Sequence, residues 1–310
     1  MPDSNEFSRR EFLARSAALA AASSLPAIAM AKESMRTRTI PGTAEELPVI
    51  GLGAPRVFIE LPPEGEDVPK ALIHELMSHG GTVIDTPAFN RGKDPILGPL
   101  LSEMGIQDDL FLIGKITTSG KQEGIDHLEW TERLLNKRPI DALLVHNMRD
   151  IENNWATLKD WKESGRVRYI GVSRTRTTDF DSLEKFMKAE NPDFLMIGYS
   201  ITQQGPAERI LPLAADTGTA VIGAEPFKAR EDGAFFDIVS GKPLPEWAAE
   251  FDCESWAHFS LKYILSNPAL TCIVTETTKP HHAEDNMRAG LGRLPDEATR
   301  KRMSEYFLNL

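Results

Sequence analysis

Short runs of apolar and β-branched residues alternate along this chain with segments whose apolar positions recur every three or four residues. The runs are Val49–Gly53, Thr82–Asp85, Leu110–Lys115, Asp141–His146, Tyr169–Ser173, Phe194–Tyr199, Ala220–Glu225 and Leu270–Glu276. They are apolar at nearly every position rather than every second one, which predicts strands covered on both faces. Between them, Val68/Leu72/Leu76, Ile96/Leu100, Ile125/Leu128, Ile151/Trp155/Leu158, Leu183/Phe186/Met187, Ala207/Ile210/Ala214 and Trp256/Ser260/Ile264 keep one apolar face at helical spacing.

Strict alternation of strand and helix implies parallel strands joined by right-handed crossovers, and eight such units close a barrel instead of leaving two open edges. The expected fold is therefore α/β, a (β/α)8 TIM barrel over residues 35–310. An open doubly wound sheet is the competing arrangement. It is disfavoured because no strand is followed by a G-x-G-x-x-G or P-loop pattern, and Gly51-Leu52-Gly53-Ala54 is too short a glycine motif. Met35–Ile40 and Leu47–Val49, turning at Pro41-Gly42-Thr43, predict a short N-terminal β-hairpin that plugs the near mouth of the barrel. After the seventh strand, residues 228–252 form a long Gly- and Pro-punctuated loop suited to shaping substrate access.

The 310-residue length accommodates one such barrel, which commonly needs about 250 residues. A formal net charge of −11 and the lack of a clustered basic face argue against nucleic acid as a partner. The first 31 residues depart from the rest. Ser8-Arg9-Arg10-Glu11-Phe12-Leu13 has the twin-arginine (Tat) pattern and is followed by a mild Ala/Leu stretch. Ala27-Ile28-Ala29 and Ala29-Met30-Ala31 then offer cleavage sites. The expectation is a removable Tat signal peptide, with the Tat translocon as a partner during export and a periplasmic mature protein. The stretch falls short of the roughly 20 apolar residues of a spanning helix, so no membrane anchor is expected. Cys253 and Cys272 lie in apolar surroundings that favour buried free thiols, and no zinc-ligand spacing occurs.

Barrel enzymes carry their chemistry at the C-terminal strand ends. Here those ends read Asp85, Lys115, His146, Ser173, Tyr199 or Ser200, Glu225, and Thr275 or Glu276. The first three belong to adjacent strands, which brings an acid, an ammonium and an imidazole together at one mouth. An Asp–Lys pair there is either a structural ion pair or part of a catalytic group.

The segments Thr82-Val83-Ile84-Asp85-Thr86, Leu112-Ile113-Gly114-Lys115, Asp141-Ala142-Leu143-Leu144-Val145-His146-Asn147, Gly165 through Ser173, Asn267-Pro268-Ala269 and Asp285-Asn286 resemble those of the aldo-keto reductases in order and spacing. The resemblance runs from about Met35 to about Leu294. It implies a tetrad of Asp, Tyr, Lys and His that acts on a small-molecule aldehyde or ketone beside NADP(H). Asp85, Lys115 and His146 occupy three of those positions. The fourth differs. Between Asp85-Thr86 and Leu97-Gly98, Asn90 stands where the family has Tyr, and none of Tyr169, Tyr199, Tyr263 and Tyr306 lies on that segment.

For the cofactor, the resemblance implies Ser173 beside the nicotinamide amide, Thr277, Thr278 and Lys279 around a phosphate, and Asn286 at the adenine. The chain departs from the family at Arg174 (usually Asn), Met196 (usually Gln), Ala224 and Glu225 (often aromatic) and Thr275-Glu276 (usually Pro-Gly). The same residues also suit a plain structural reading, with Thr277 and Thr278 capping a helix, Lys279 solvated and Asn286 on the surface. Two functions follow: an NADP(H)-dependent reductase with an altered tetrad, or a non-redox barrel. The latter would be a ligand-binding pseudoenzyme, or a lyase or isomerase built on Lys115 and Glu225.

Overall fold

The computed structural model describes residues 34–53, 56–86, 96–175, 179–229 and 233–310. Eight parallel strands close a barrel: β3 (Ile50–Leu52), β4 (Val83–Asp85), β5 (Phe111–Ile116), β6 (Ile140–Val145), β7 (Val167–Arg174), β8 (Phe194–Gly198), β9 (Ala220–Ala224) and β12 (Cys272–Thr275). β12 shuts the ring, setting Ile273 opposite Ile50 on one side and Cys272 opposite Ile222 on the other. Each of the eight apolar runs became one of these strands.

The pleat divides the apolar residues into two cores. Val83, Phe111, Ile113, Leu144, Phe194, Met196, Ile222, Cys272 and Val274 fill the barrel interior. The alternate residues, among them Ile84, Leu112, Leu143, Val145, Leu195 and Ile273, face outward onto Leu72, Leu76, Leu128, Leu158 and Ile210 of the surrounding helices. This double covering is why the strands show no polar face in the sequence.

The hairpin pairs β1 (Thr37–Thr39) with β2 (Glu46–Pro48), setting Arg38 opposite Leu47. Its Ile40 and Leu47 join the interior core, where Phe111, Tyr169 and Phe194 pack with ring centroids 5.5 to 6.1 Å apart. Glu45 fixes the plug, accepting from Tyr169 Oη at 2.7 Å and from Arg168, whose other arm donates to Asp141 at 2.8 Å.

Helices at Asp67–Ser78, Leu97–Met104, Lys121–Leu135, Ile151–Glu163, Phe180–Glu190, Gly205–Thr217 and Trp256–Leu265 match the spaced apolar positions. Gly98 lets two of them touch: a Cβ there would lie 1.5 Å from the Leu134 carbonyl oxygen. The helix Pro280–Arg288 follows β12. A last helix, Glu297–Leu308, was not evident from spacing because it buries little besides Met303, Ser304 and Phe307.

The segment 228–252 is more structured than a loop. It holds a hairpin of β10 (Lys228–Ala229) and β11 (Gly233–Ala234), a helix Phe235–Val239 and a 3-10 turn Glu246–Phe251. The ring of Phe235 stacks on Phe307 of the last helix, centroids 4.8 Å apart at 4°. That long-range anchor is what a local reading lacks. Among the described residues no helix is long and apolar enough to cross a membrane, and Cys253 and Cys272 are both buried free thiols.

Candidate active site

On β4, β5 and β12 the inward-facing positions are apolar until the last layer, where they become ionisable. β4 runs Val83 to Asp85, β5 runs Phe111 and Ile113 to Lys115, and β12 runs Cys272 and Val274 to Glu276 just past its end. His146 follows Leu144 in the same way, in a short 3-10 turn after β6. Asp85, Lys115, His146, Glu225 and Glu276 thereby line one cavity of about 340 Å³ at the C-terminal mouth.

Asp85 and Lys115 are 5% and 7% exposed, and both carboxylate oxygens stand 2.6 Å from Lys115 Nζ. Lys115 also donates to the Thr86 carbonyl at 2.9 Å. Thr86 is itself held by Ile113 O, which accepts from its backbone N–H at 2.9 Å and its hydroxyl at 2.8 Å. Burial pushes the Asp85 carboxyl upward in pKa, and the adjacent ammonium opposes that push.

His146 Nδ1 lies 3.0 Å from Ser173 Oγ, which also accepts the Asn147 backbone N–H at 3.2 Å. The Asn147 amide nitrogen meets Nε2 at 3.1 Å, an arrangement in which the neutral ring keeps its proton on Nδ1 and donates it to Ser173. Burial, with Lys115 and Arg149 adding repulsion, holds the His146 pKa below the usual imidazole value. Glu276 sits at the rim, open to solvent on one side. Desolvation in the cleft and the charge of Asp85 raise its pKa, with Lys115 acting against them.

A second cavity of about 390 Å³ adjoins the mouth and shares Phe227 and Glu276 with it. Phe227, Phe236 and Trp256 give it aromatic walls; Thr277, His282, Asp285 and Asn286 supply polar groups.

Of the sequence-derived candidates, Asp85, Lys115 and His146 therefore converge, while Asn90 lies outside the described residues. Ser173 is fully buried against His146. Thr277 and Asn286 line the second cavity, Asn286 being only 4% exposed and so not a surface residue. Thr278 and Lys279 are exposed just before the Pro280–Arg288 helix, and Thr277 Oγ1 accepts from the Lys279 N–H at 3.1 Å instead of capping that helix.

Two strand-end residues expected at the mouth point elsewhere. Tyr199 packs outside the wall against Tyr263, ring centroids 6.2 Å apart, and Thr275 is fully buried with its hydroxyl 3.4 Å from Gly51 O. Both are one residue out of phase with the inward positions. The aromatic walls went unread in the sequence because their residues come from three separate segments.

Residues 49–302 match the profile of the Aldo/keto reductase family. The fold resembles an aldo/keto reductase of Brucella melitensis (TM-score 0.69, 19% identity, covering 89% of this chain and 98% of that one). It likewise resembles an aldo-keto reductase of Bacillus halodurans in its holo form (TM-score 0.67, 19% identity, covering 88% and 96%). An uncharacterized oxidoreductase of Schizosaccharomyces pombe is 27% identical over 177 residues, which is 49% of this chain and 52% of that protein, so the chain spans about half the length of this relative. With the profile extending from the strand that opens the barrel into its last helix, the chain belongs to the aldo/keto reductase family.

Proposed function

We propose that the protein reduces a small aldehyde or ketone at the barrel mouth, using a nicotinamide dinucleotide for which NADP(H) is the family's pattern. One observation carries this reading: the mouth that holds Asp85, Lys115 and His146 opens across Phe227 and Glu276 into an aromatic-walled cavity. A ligand with a reacting ring at one end and a flat base at the other matches that pair of spaces.

The donor set fits such a ligand at its far end. Phe227, Phe236 and Trp256 offer faces for a base, Asn286 offers an amide, and Lys279 with Thr277 and Thr278 stands at a helix N-terminus suited to a phosphate. The bound cofactor supplies hydride to the carbonyl carbon. The chain's own residues then have electrostatic and orienting tasks. Lys115, held in place by Asp85 at 2.6 Å, stabilises negative charge developing on the carbonyl oxygen. His146, fixed by Ser173, directs that oxygen, and the apolar layer of Met196, Ala224 and Val274 beneath keeps water from the reacting carbon. The Tat pattern supports export of a folded, loaded protein to the periplasm, with a removable signal ending between Ala29 and Ala31.

Titration of the mature protein with NADPH, followed by nicotinamide fluorescence and by consumption with short aldehydes, tests the reading. Binding and turnover support it; absence of binding at millimolar cofactor sinks it. A second reading rests on Lys115 and Glu225 lining the same cavity, which suits a lyase, an isomerase or simple ligand binding. Tight NADPH binding with turnover would remove that alternative.

A further inference from the structure

We infer that Glu276 is the proton donor of the reduction, its carboxyl group taking the role of the phenol that the family carries where this chain has Asn90. The inference rests on the reduction proposed above and names a residue for its proton step.

The reaction needs an acid beside the carbonyl oxygen, and the placement of the chain's four tyrosines leaves no phenol for it. Tyr169 is at the opposite end of the barrel, bonded to Glu45. Tyr199 and Tyr263 pack outside the wall, and Tyr306 lies on the last helix against Trp247. Lys115 is committed to Asp85 and Thr86 O. His146 is held in its neutral form, with Nδ1 turned to Ser173. An imidazole in that state has no ready proton to give near neutral pH.

Glu276 has the required position. It takes the next inward place on its strand after Cys272 and Val274, and it borders both cavities, at the junction where carbonyl and cofactor would meet. Desolvation in the cleft and the charge of Asp85, facing it from β4, disfavour its carboxylate, and Lys115 from β5, paired with Asp85, opposes them only in part. Beyond β9, Glu225 stands 3.4 Å from Lys228, and on the other side Asp285 is engaged by Ser255 and His258, with His282 exposed nearby. A carboxyl in this setting holds its proton to higher pH than a free glutamate, yet its open side lets solvent restore it. In the step, hydride forms the new C–H bond, the carbonyl π pair moves to oxygen, and that oxygen takes the Glu276 proton. The nicotinamide is oxidised, the carbonyl becomes an alcohol, and the carboxylate is reprotonated from water.

The test compares wild type with Glu276→Gln and Glu276→Asp in three measurements: NADPH affinity by fluorescence, kcat against pH, and the infrared band of a protonated carboxyl. Glu276→Gln should bind NADPH within about threefold of wild type yet lose about 10²–10⁴-fold in kcat, together with the alkaline limb of the pH profile. Glu276→Asp should keep the limb at a lower rate. The infrared band should persist in wild type above the ordinary glutamate range and be missing from Glu276→Gln. Wild-type kcat and an intact alkaline limb in Glu276→Gln would overturn the assignment while leaving the reductase reading in place. Failure of wild type itself to bind NADPH would overturn both.

Discussion

Lys115 Nζ stands 2.6 Å from each carboxylate oxygen of Asp85, with both side chains more than nine-tenths buried at the end of adjacent strands. Removing one partner of such a pair strands the other charge in a poorly solvated site. Asp85→Asn should therefore destabilise the fold by about 3–5 kcal/mol, measured by urea unfolding, and Asp85→Asn/Lys115→Met should recover part of that loss. A single variant within about 1 kcal/mol of wild type would show that water reaches the pair freely.

His146 should titrate below the usual imidazole value when its ring protons are followed by NMR. Its lowered pKa means that the folded state prefers the neutral ring. Its contribution to stability is complete above the unfolded value of about 6.5 and declines as pH falls from there through the folded pKa. Lys115→Met should raise the midpoint by removing a repelling charge. Ser173→Ala should leave the Nδ1 and Asn147 N–H groups unpartnered, costing about 1–3 kcal/mol. No movement of the midpoint in Lys115→Met would contradict the contribution assigned to Lys115 and leave burial as the cause.

Gly98→Ala places a methyl group against backbone, 1.5 Å from the Leu134 carbonyl oxygen. Flexible side chains cannot absorb that overlap, so the Leu97–Met104 and Lys121–Leu135 helices must separate. Thermal unfolding should report a loss of about 1–3 kcal/mol or more. An unchanged Tm would mean that the helices are not held at this distance.

Asp252 and Arg293 tie the 3-10 turn Glu246–Phe251 to the stretch preceding the last helix. Arg293 reaches Asp252 with its backbone N–H at 2.8 Å and with Nη2 at 2.7 Å. These bonds lower the Asp252 pKa to about 2. The contribution is therefore present above the unfolded carboxyl value of about 3.9 and disappears as pH falls through 2. The pair is exposed, so solvent screening keeps Asp252→Asn to under about 1 kcal/mol at pH 7. Unfolding curves of variant and wild type should converge in acid.

The order of strands and helices was written locally. Eight doubly apolar runs, seven amphipathic segments and the hairpin turn each state a preference that neighbouring residues suffice to express, and closure of the barrel follows from their number. Asp85, Lys115 and His146 were legible as site residues because each ends such a run, and adjacency of strands in sequence became adjacency in space.

Which polar strand end faces the axis was decided only by the closed barrel. A strand covered on both faces hides its own parity, so Tyr199, Thr275 and Glu276 look alike in sequence, although a single step along the chain turns the side chain from the wall at Thr275 to the mouth at Glu276. The aromatic cavity and the ordering of 228–252 likewise depend on Phe227, Phe236, Trp256 and the Phe235–Phe307 stack, partners brought together from distant segments. Local pattern fixes what each segment prefers to be. Register and packing between segments determine which side chains share a space, and in this protein that is what brings Glu276 beside Asp85 and Lys115.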